Sequence, residues 1–279
     1  MPLWLLFLRL YGHYFPLARG KGRVTKWVYK HFPRLRKPII APIAGNIEAE
    51  LHPWQWADFC TLAIGSPEMY TLFYFQSLLR PTSVIFDVGA YIGVYAFTAS
   101  RIVTSGSIHV FEPNPLSAQR IRRTIARNAI VNIYLNECAV GNQKGSIQFY
   151  LHETPTMSAL SHSDKTHQVV DVPVLTIDEY CHNNAIPTID VIKIDVEGAE
   201  LLVLLGAAEA IARFRPIIIV ELHRRLSIHY GHTVEDTIRY LQDIQYALFT
   251  QTHGLTIDTR LAPLRNWNGE RQIVIAKPV

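Results

Sequence analysis

The chain has 279 residues, enough for one large domain or one domain with an extension. With 49% apolar and 18% charged residues it can bury a sizeable core, which excludes wholesale disorder. The net charge of +4 is unevenly spread: Arg9, Arg19, Lys21, Arg23, Lys26, Lys30, Arg34, Arg36 and Lys37 all precede the first acidic residue, Glu48, and the remainder is net acidic.

Three cysteines, Cys60, Cys138 and Cys181, form no C-x-x-C pair. They exclude a disulfide framework and a thiolate zinc site, and they fit a cytoplasmic compartment. The basic residues 1–60 read as a helical extension and residues 61–279 as the main domain. The apolar run at residues 3–8 is far shorter than the roughly 20 residues a membrane span needs. Its positive charges follow the run instead of preceding it, which argues against a signal peptide. Two readings remain for residues 1–40: a helical layer packed on the domain, or peripheral contact with an anionic inner membrane face. Nothing in the sequence indicates the oligomeric state.

Residues 33–53 are rich in Pro, Gly and small side chains and read as a connector. Ser66-Pro67-Glu68 is a helix start, and the helix is expected to run to about residue 79. Strands and helices then alternate. An apolar run at 84–87 ends in Asp87, a helix follows over 93–103, and a strand over 107–111. A helix over 115–129 is expected to turn Arg120, Arg122, Arg123 and Arg127 outward. A strand over 133–138 and a strand pair, 146–150 with 169–174, come next. The pair flanks a polar loop, 153–168, whose neighbouring His152, His162 and His167 lack metal spacing; that loop is a candidate lid over the acceptor. Further elements are a strand at 190–195, a helix at 199–212, a strand at 216–222, a helix at 233–245, and strands at 246–250 and 272–276. This alternation predicts an α/β, Rossmann-like fold: a mostly parallel sheet with helices on both faces, an antiparallel edge and the N-terminal helical extension.

Ligands of such sheets bind at the carboxyl ends of the strands. The first such end reads Asp87-Val88-Gly89-Ala90-Tyr91-Ile92-Gly93. Gly89 permits a sharp turn and a close approach to a ligand, and Gly93 permits tight packing at the helix start. The next strand ends in Glu112, which is suited to the two hydroxyls of a ribose. Asp87 occupies the place where a dinucleotide fingerprint begins with glycine. A carboxylate there repels a pyrophosphate and favours a ligand carrying an ammonium and a sulfonium, as S-adenosylmethionine does.

Asp87-Val88-Gly89-Ala90, Phe111-Glu112-Pro113-Asn114 and the string Lys193-Ile194-Asp195-Val196-Glu197-Gly198-Ala199-Glu200 resemble the FkbM family of class I methyltransferases. The resemblance covers about residues 64–223. It implies a seven-stranded Rossmann-like class I methyltransferase fold, S-adenosylmethionine as donor, and O-methylation of sugar, polyketide or lipid-linked hydroxyls. It implies that Asp87, Gly89 and Glu112 line the donor site, with Glu68 and the Ala139 region close by. The cofactor-binding set is therefore Glu68, Asp87, Gly89, Ala90, Tyr91, Gly93, Glu112, Pro113 and Ala139. Family members commonly carry Asn where this chain has Tyr91, so its ring is expected to reshape the donor pocket or to stack near adenine.

Methyl transfer to an oxygen requires alignment and removal of a proton. Lys193 and Asp195, two apart in a strand, share a face, and Asp195 is the first candidate to accept the proton. Glu197 is a second acid in the following turn. Glu221 and His223 share a face at the next strand end, where His223 is a candidate base. A divalent metal held by Asp195, Glu221 and His223 is the less favoured alternative, so no metal ligand is assigned. Nucleic-acid methylation is disfavoured because the turn at 195–198 is acidic and lacks the proline-aromatic turn of base-amine methylation. A non-catalytic binding module is disfavoured by the intact Asp87, Gly89 and Glu112.

Overall fold

The computed structural model describes residues 2–15, 18–32, 35–151, 168–252, 254, 256–265 and 269–279. The loop singled out as a candidate lid, with His152, His162 and His167, lies almost wholly outside the described residues.

The N-terminal segment forms helices α1 (Leu3–Tyr14) and α2 (Lys21–His31), strands β1 (Ile39–Ala44) and β2 (Ile47–Leu51), and helix α3 (Trp56–Ile64). The stretch expected as a connector thus contains an antiparallel hairpin, Ile39 pairing with Leu51. Its period-2 signal is Ile47, Ala49 and Leu51 buried against Glu48 and Glu50 facing outward, and Gly45 takes the positive φ of the turn.

Helix α4 (Met69–Leu78) begins one residue after Glu68, its N-cap. Then come β3 (Val84–Val88), α5 (Val94–Ser100), β4 (Ser107–Phe111), α6 (Pro115–Arg127) and β5 (Ile133–Asn136). Asn114 caps α6 by accepting from the Leu116 N–H, with Pro115 at the first helical position. A small sheet follows, of β6 (Ala139–Val140), β7 (Gly145–Leu151) and β8 (Gln168–Leu175), in the order β6-β8-β7. The remainder is α7 (Ile177–Asn183), β9 (Val191–Ile194), α8 (Glu200–Leu205), α9 (Ala208–Phe214), β10 (Ile217–His223), α10 (Arg224–Ile228), α11 (Val234–Asp243), β11 (Tyr246–Gln251), β12 (Leu261–Pro263) and β13 (Arg271–Pro278). The single helix expected over 199–212 is broken at Gly206, where a Cβ would overlap the carbonyl oxygen of Gly141.

The main sheet has the order β12-β11-β13-β10-β9-β3-β4-β5. Strands β5, β4, β3, β9 and β10 are parallel, and β13 runs antiparallel between β10 and β11. The last strand is therefore inserted inside the sheet, not added at its edge. This is the seven-stranded Rossmann-like arrangement, with the three-residue β12 as an extra edge strand. The strand order reverses between β3 and β9, and that reversal opens a crevice at their carboxyl ends.

Two apolar clusters cover the two faces. One joins Ile85, Phe97, Ile108 and Ile121 to Leu5, Leu8, Phe59 and Leu62, so the N-terminal segment shares its core with the sheet. No helix among the described residues is long and apolar enough to cross a membrane.

Candidate active site

The carboxyl ends of β3, β4, β9 and β10 surround a cavity of about 670 Å³, within the usual range for small-molecule sites. Of the thirteen residues singled out from the sequence, all but Gly93 line it. Gly93 is instead the left-handed N-cap of α5, packed against the Phe97 ring.

The donor side is built on the turn after β3. Gly89 has φ +78, and a Cβ there would overlap the carbonyl oxygen of Asp195. The Gly89 N–H donates to the Phe111 carbonyl at 2.9 Å, tying the turn to the end of β4. Asp87 is buried and accepts from the Ala96 N–H at 3.1 Å. Burial pushes its carboxyl up to about 7, against the pull of the Lys193 ammonium. Glu112 accepts from the Tyr91 N–H at 2.7 Å and the Asn114 N–H at 2.8 Å. Burial pushes it up to about 8 despite those bonds. Pro113, Ala90 and Ala139 complete this wall.

Tyr91 differs from the expectation of a ring near adenine. Its hydroxyl turns to the N-terminal segment, donates to Asp58 at 2.5 Å and lies 2.7 Å from the Gln55 side-chain oxygen. Asp58, fully buried, also pairs with Arg120 and accepts from the His52 N–H at 2.6 Å. Arg120 is accordingly buried rather than outward, with its guanidinium 5.7 Å from the Tyr91 ring centroid. Gln55, Asp58 and Arg120 escaped the sequence reading because the partners lie more than 30 residues apart in the chain.

The other side is a cluster of charge. Lys193 Nζ lies 3.4 Å from Asp195 Oδ2 and 5.1 Å from the Tyr95 ring centroid. His223 Nε2 lies 3.8 Å from Asp195 and 3.9 Å from Glu221, and its Nδ1 lies 3.6 Å from Glu197. Glu68 accepts from the Tyr95 hydroxyl at 2.7 Å and faces Arg271 at 3.8 Å. Arg271 also pairs with Glu221. Tyr95 and Arg271 were not anticipated; Arg271 comes from β13, opposite His223, and enters only through the strand order.

Five carboxylates, Glu68, Asp87, Asp195, Glu197 and Glu221, thus face two fixed cations, Lys193 and Arg271. Burial acts to lower Lys193, but Asp195, Glu68 and Glu221 outweigh it and hold the ammonium charged. Burial acts to raise Asp195, yet Lys193 and His223 hold it well below the usual carboxylate range. Burial and the Asp195 charge push Glu197 up to about 7 and Glu221 up to about 10. His223 is raised, since Asp195 and Glu197 overcome its burial. Glu197 sits at φ +52 and Tyr91 at φ +55, so two of the strained non-glycine positions lie on the cavity wall. The oxygens and ring nitrogens of Asp195, Glu197 and His223 lie within 4.8 Å of one another, as do those of Glu68, Asp195 and Glu221, close enough to hold a divalent ion.

The residues fit S-adenosylmethionine. Asp87 and Asp195 offer carboxylate oxygens to an ammonium and a sulfonium, Glu112 can accept from ribose hydroxyls, and Gly89 leaves the turn without a side chain.

The methyltransferase FkbM domain family matches residues 87–248. Hexuronic acid methyltransferase AglP of Haloferax volcanii is 26% identical over 212 residues, covering 74% of this chain and 83% of the relative. The 31-O-demethyl-FK506 methyltransferase FkbM of Streptomyces tacrolimicus is 25% identical over 162 residues, covering 47% and 62%. The crystal structure of methyltransferase FkbM from Methylobacillus flagellatus aligns with a TM-score of 0.48 at 18% identity, over 79% of this chain and 53% of that one.

Proposed function

The chain belongs to the methyltransferase FkbM domain family and is an S-adenosylmethionine-dependent methyltransferase; we propose that it methylates a hydroxyl of a sugar, polyketide or lipid-linked acceptor. The observation that carries this reading is the group Asp195, Glu197 and His223 beside the donor turn, with Glu197 held at about 7. The names of two relatives, a hexuronic acid methyltransferase and a 31-O-demethyl-FK506 methyltransferase, support an oxygen of a sugar or polyketide as acceptor.

S-adenosylmethionine, when bound, supplies an activated methyl group on a sulfonium with a neutral thioether as leaving group. Asp87 and Glu112 are the residues to hold its amino-acid end and ribose. On the acceptor side, Asp195 is too well stabilised by Lys193 to be a strong base. Glu197 is better matched to neutral pH, and its contact with His223 gives the departing hydroxyl proton a place on the pair. Asp195 is then the acceptor of the substrate hydroxyl's hydrogen bond and aligns the oxygen. The acidic turn of Asp195 and Glu197 argues against a phosphate-rich acceptor such as nucleic acid.

The test is incubation with S-adenosylmethionine and a panel of hydroxylated glycans, polyketides and lipid-linked sugars, followed by mass spectrometry. Gain of a methyl group that withstands ester hydrolysis is the expected result. Methylation confined to amines or carboxylates would exclude the hydroxyl.

A further inference from the structure

We infer that α1 and α2 form a docking surface for an anionic lipid bilayer. At 100° per residue, Leu3, Leu6, Phe7, Leu10 and Tyr14 fall within an arc of about 100° on α1. All five are exposed, Leu3 by 74%, Phe7 by 67% and Tyr14 by 80%. The opposite face, Leu5, Leu8 and Gly12, is buried, with Gly12 against the Ala63 backbone of α3. The helix is therefore apolar on both sides, while the protein covers only one. A solvated surface helix would carry charge on its outer face.

The surrounding charge selects the partner. Arg19, Arg23, Lys26, Lys30, Arg36 and Lys37 are exposed, and among the described residues none of them is in an ion pair. No carboxylate lies in the first 47 residues of the sequence. Trp27 is 56% exposed between Lys26 and Lys30 and stacks on His31 at 5.0 Å, a placement suited to a headgroup layer. Rings connect the two helices: Phe32, just after α2, lies 5.1 Å from Trp4 and 5.9 Å from Trp27. A second copy of the chain would bring two basic patches face to face, which is repulsive. A nucleic acid would satisfy the bases and leave the apolar stripe in water. An anionic bilayer takes both, the stripe among the acyl chains and the bases among the headgroups.

The surface has a consequence for the active site. Both helices pack on α3, whose Trp56, Ala57 and Thr61 line the cavity. Docking therefore anchors a cavity-lining helix, through α1 and α2, at a surface where a lipid-linked acceptor would be held; this step rests on the proposed acceptor class, whereas docking itself does not.

The experiment is flotation of the full chain with vesicles of phosphatidylcholine alone and with roughly one third phosphatidylglycerol. The expected result is binding to the anionic vesicles only, weakened at least tenfold by about 0.5 M salt. The pair Phe7→Glu/Leu10→Glu and the pair Lys26→Glu/Lys30→Glu should each lower binding at least about tenfold. Circular dichroism and the thermal shift with S-adenosylmethionine should stay unchanged in both variants. Absent binding by the unaltered chain, equal binding to both vesicles, or full binding by Phe7→Glu/Leu10→Glu would overturn the assignment. A dimer that dissolves in Phe7→Glu/Leu10→Glu without any vesicle binding would overturn it in favour of a second copy. Because flotation needs no turnover, an inactive but vesicle-bound protein would count against the acceptor reading alone.

Discussion

The Cα of Gly89 lies against the carbonyl oxygen of Asp195, so close that a Cβ at residue 89 would overlap it. The donor turn after β3 and the acidic turn after β9 are thereby fixed to each other. Gly89 also holds φ +78, which an L side chain rarely adopts. We expect Gly89→Ala to push the two turns apart, weakening donor binding at least tenfold and lowering the melting temperature. Isothermal titration with S-adenosylmethionine and a thermal melt measure both. Unchanged donor affinity would show that the contact between the turns is not needed for the site.

Tyr91 joins the donor turn to the N-terminal segment through Asp58 and Gln55, and Asp58 is paired in turn with Arg120. Tyr91→Phe removes one hydroxyl and is expected to cost roughly 1–3 kcal/mol of stability. It should weaken donor binding by up to about tenfold, because the Tyr91 N–H also orients Glu112. Arg120→Met leaves Asp58 buried without its cation and should cost about 3–5 kcal/mol, the larger effect. Urea unfolding of the two variants gives the order. If Arg120→Met proves as stable as the parent chain, Asp58 does not depend on the pair.

That network also marks where the sequence stops being informative. Asp87, Glu112, Lys193 and Asp195 were legible because each sits at or next to the end of an apolar strand, and strand ends in such a sheet point into one crevice. Lys193 and Asp195 had to share a face from their spacing alone. Arg120 was read outward because helix periodicity sees only neighbours three or four residues away, and Asp58 is 62 residues distant. Arg271 needed the knowledge that the last strand inserts beside β10. The β1–β2 hairpin was hidden because proline, glycine and small residues outweighed the short alternation from Ile47 to Leu51.

The pH dependence of donor binding follows from Asp87. Its carboxyl ordinarily titrates at 3.8 but is pushed up to about 7, burial being the main cause. Between those values the folded state holds a proton that the unfolded state has lost, so this group's contribution to stability declines as pH rises toward 7. A bound cation favours the ionised form and offsets the loss. Affinity for S-adenosylmethionine should therefore improve about tenfold from pH 6 to pH 8. Asp87→Asn should flatten the profile. Affinity that falls across this interval would have the wrong sign for a carboxylate facing a cation.

Glu197 and Asp195 can be separated by kinetics. Loss of a general base costs typically 10²–10⁴ in rate, so Glu197→Gln should lower kcat by about that factor while the donor dissociation constant stays within a few-fold. The parent chain should gain kcat/KM as pH rises through about 7, because only the deprotonated form of Glu197 accepts a proton. That limb, read as kcat/KM for the acceptor at saturating S-adenosylmethionine, should vanish in Glu197→Gln. Asp195→Asn should lower kcat with the limb retained, since it loses alignment and not the base. A limb that survives in Glu197→Gln and disappears in Asp195→Asn would reverse the two roles.

Chelation tests whether the site holds a metal. The group Asp195, Glu197 and His223 and the group Glu68, Asp195 and Glu221 each have the spacing of a divalent-ion site. Their oxygens already face fixed cations, however: Lys193 stands 3.4 Å from Asp195, and Arg271 pairs with Glu221 and faces Glu68 at 3.8 Å. A divalent ion in either group would lie beside these charges, and the low-dielectric pocket magnifies the repulsion. The favourable cation is one that spreads its charge, as a sulfonium and a separate ammonium do. Turnover should therefore persist after exhaustive EDTA treatment and should not rise with added Mg²⁺ or Mn²⁺. Removing a resident cation ought to change this: Arg271→Met should give measurable Mn²⁺ binding by electron paramagnetic resonance where the parent chain gives none. Activity lost on chelation and restored by stoichiometric Mn²⁺ would mean that the carboxylates serve a metal, and that Lys193 and Arg271 yield to it.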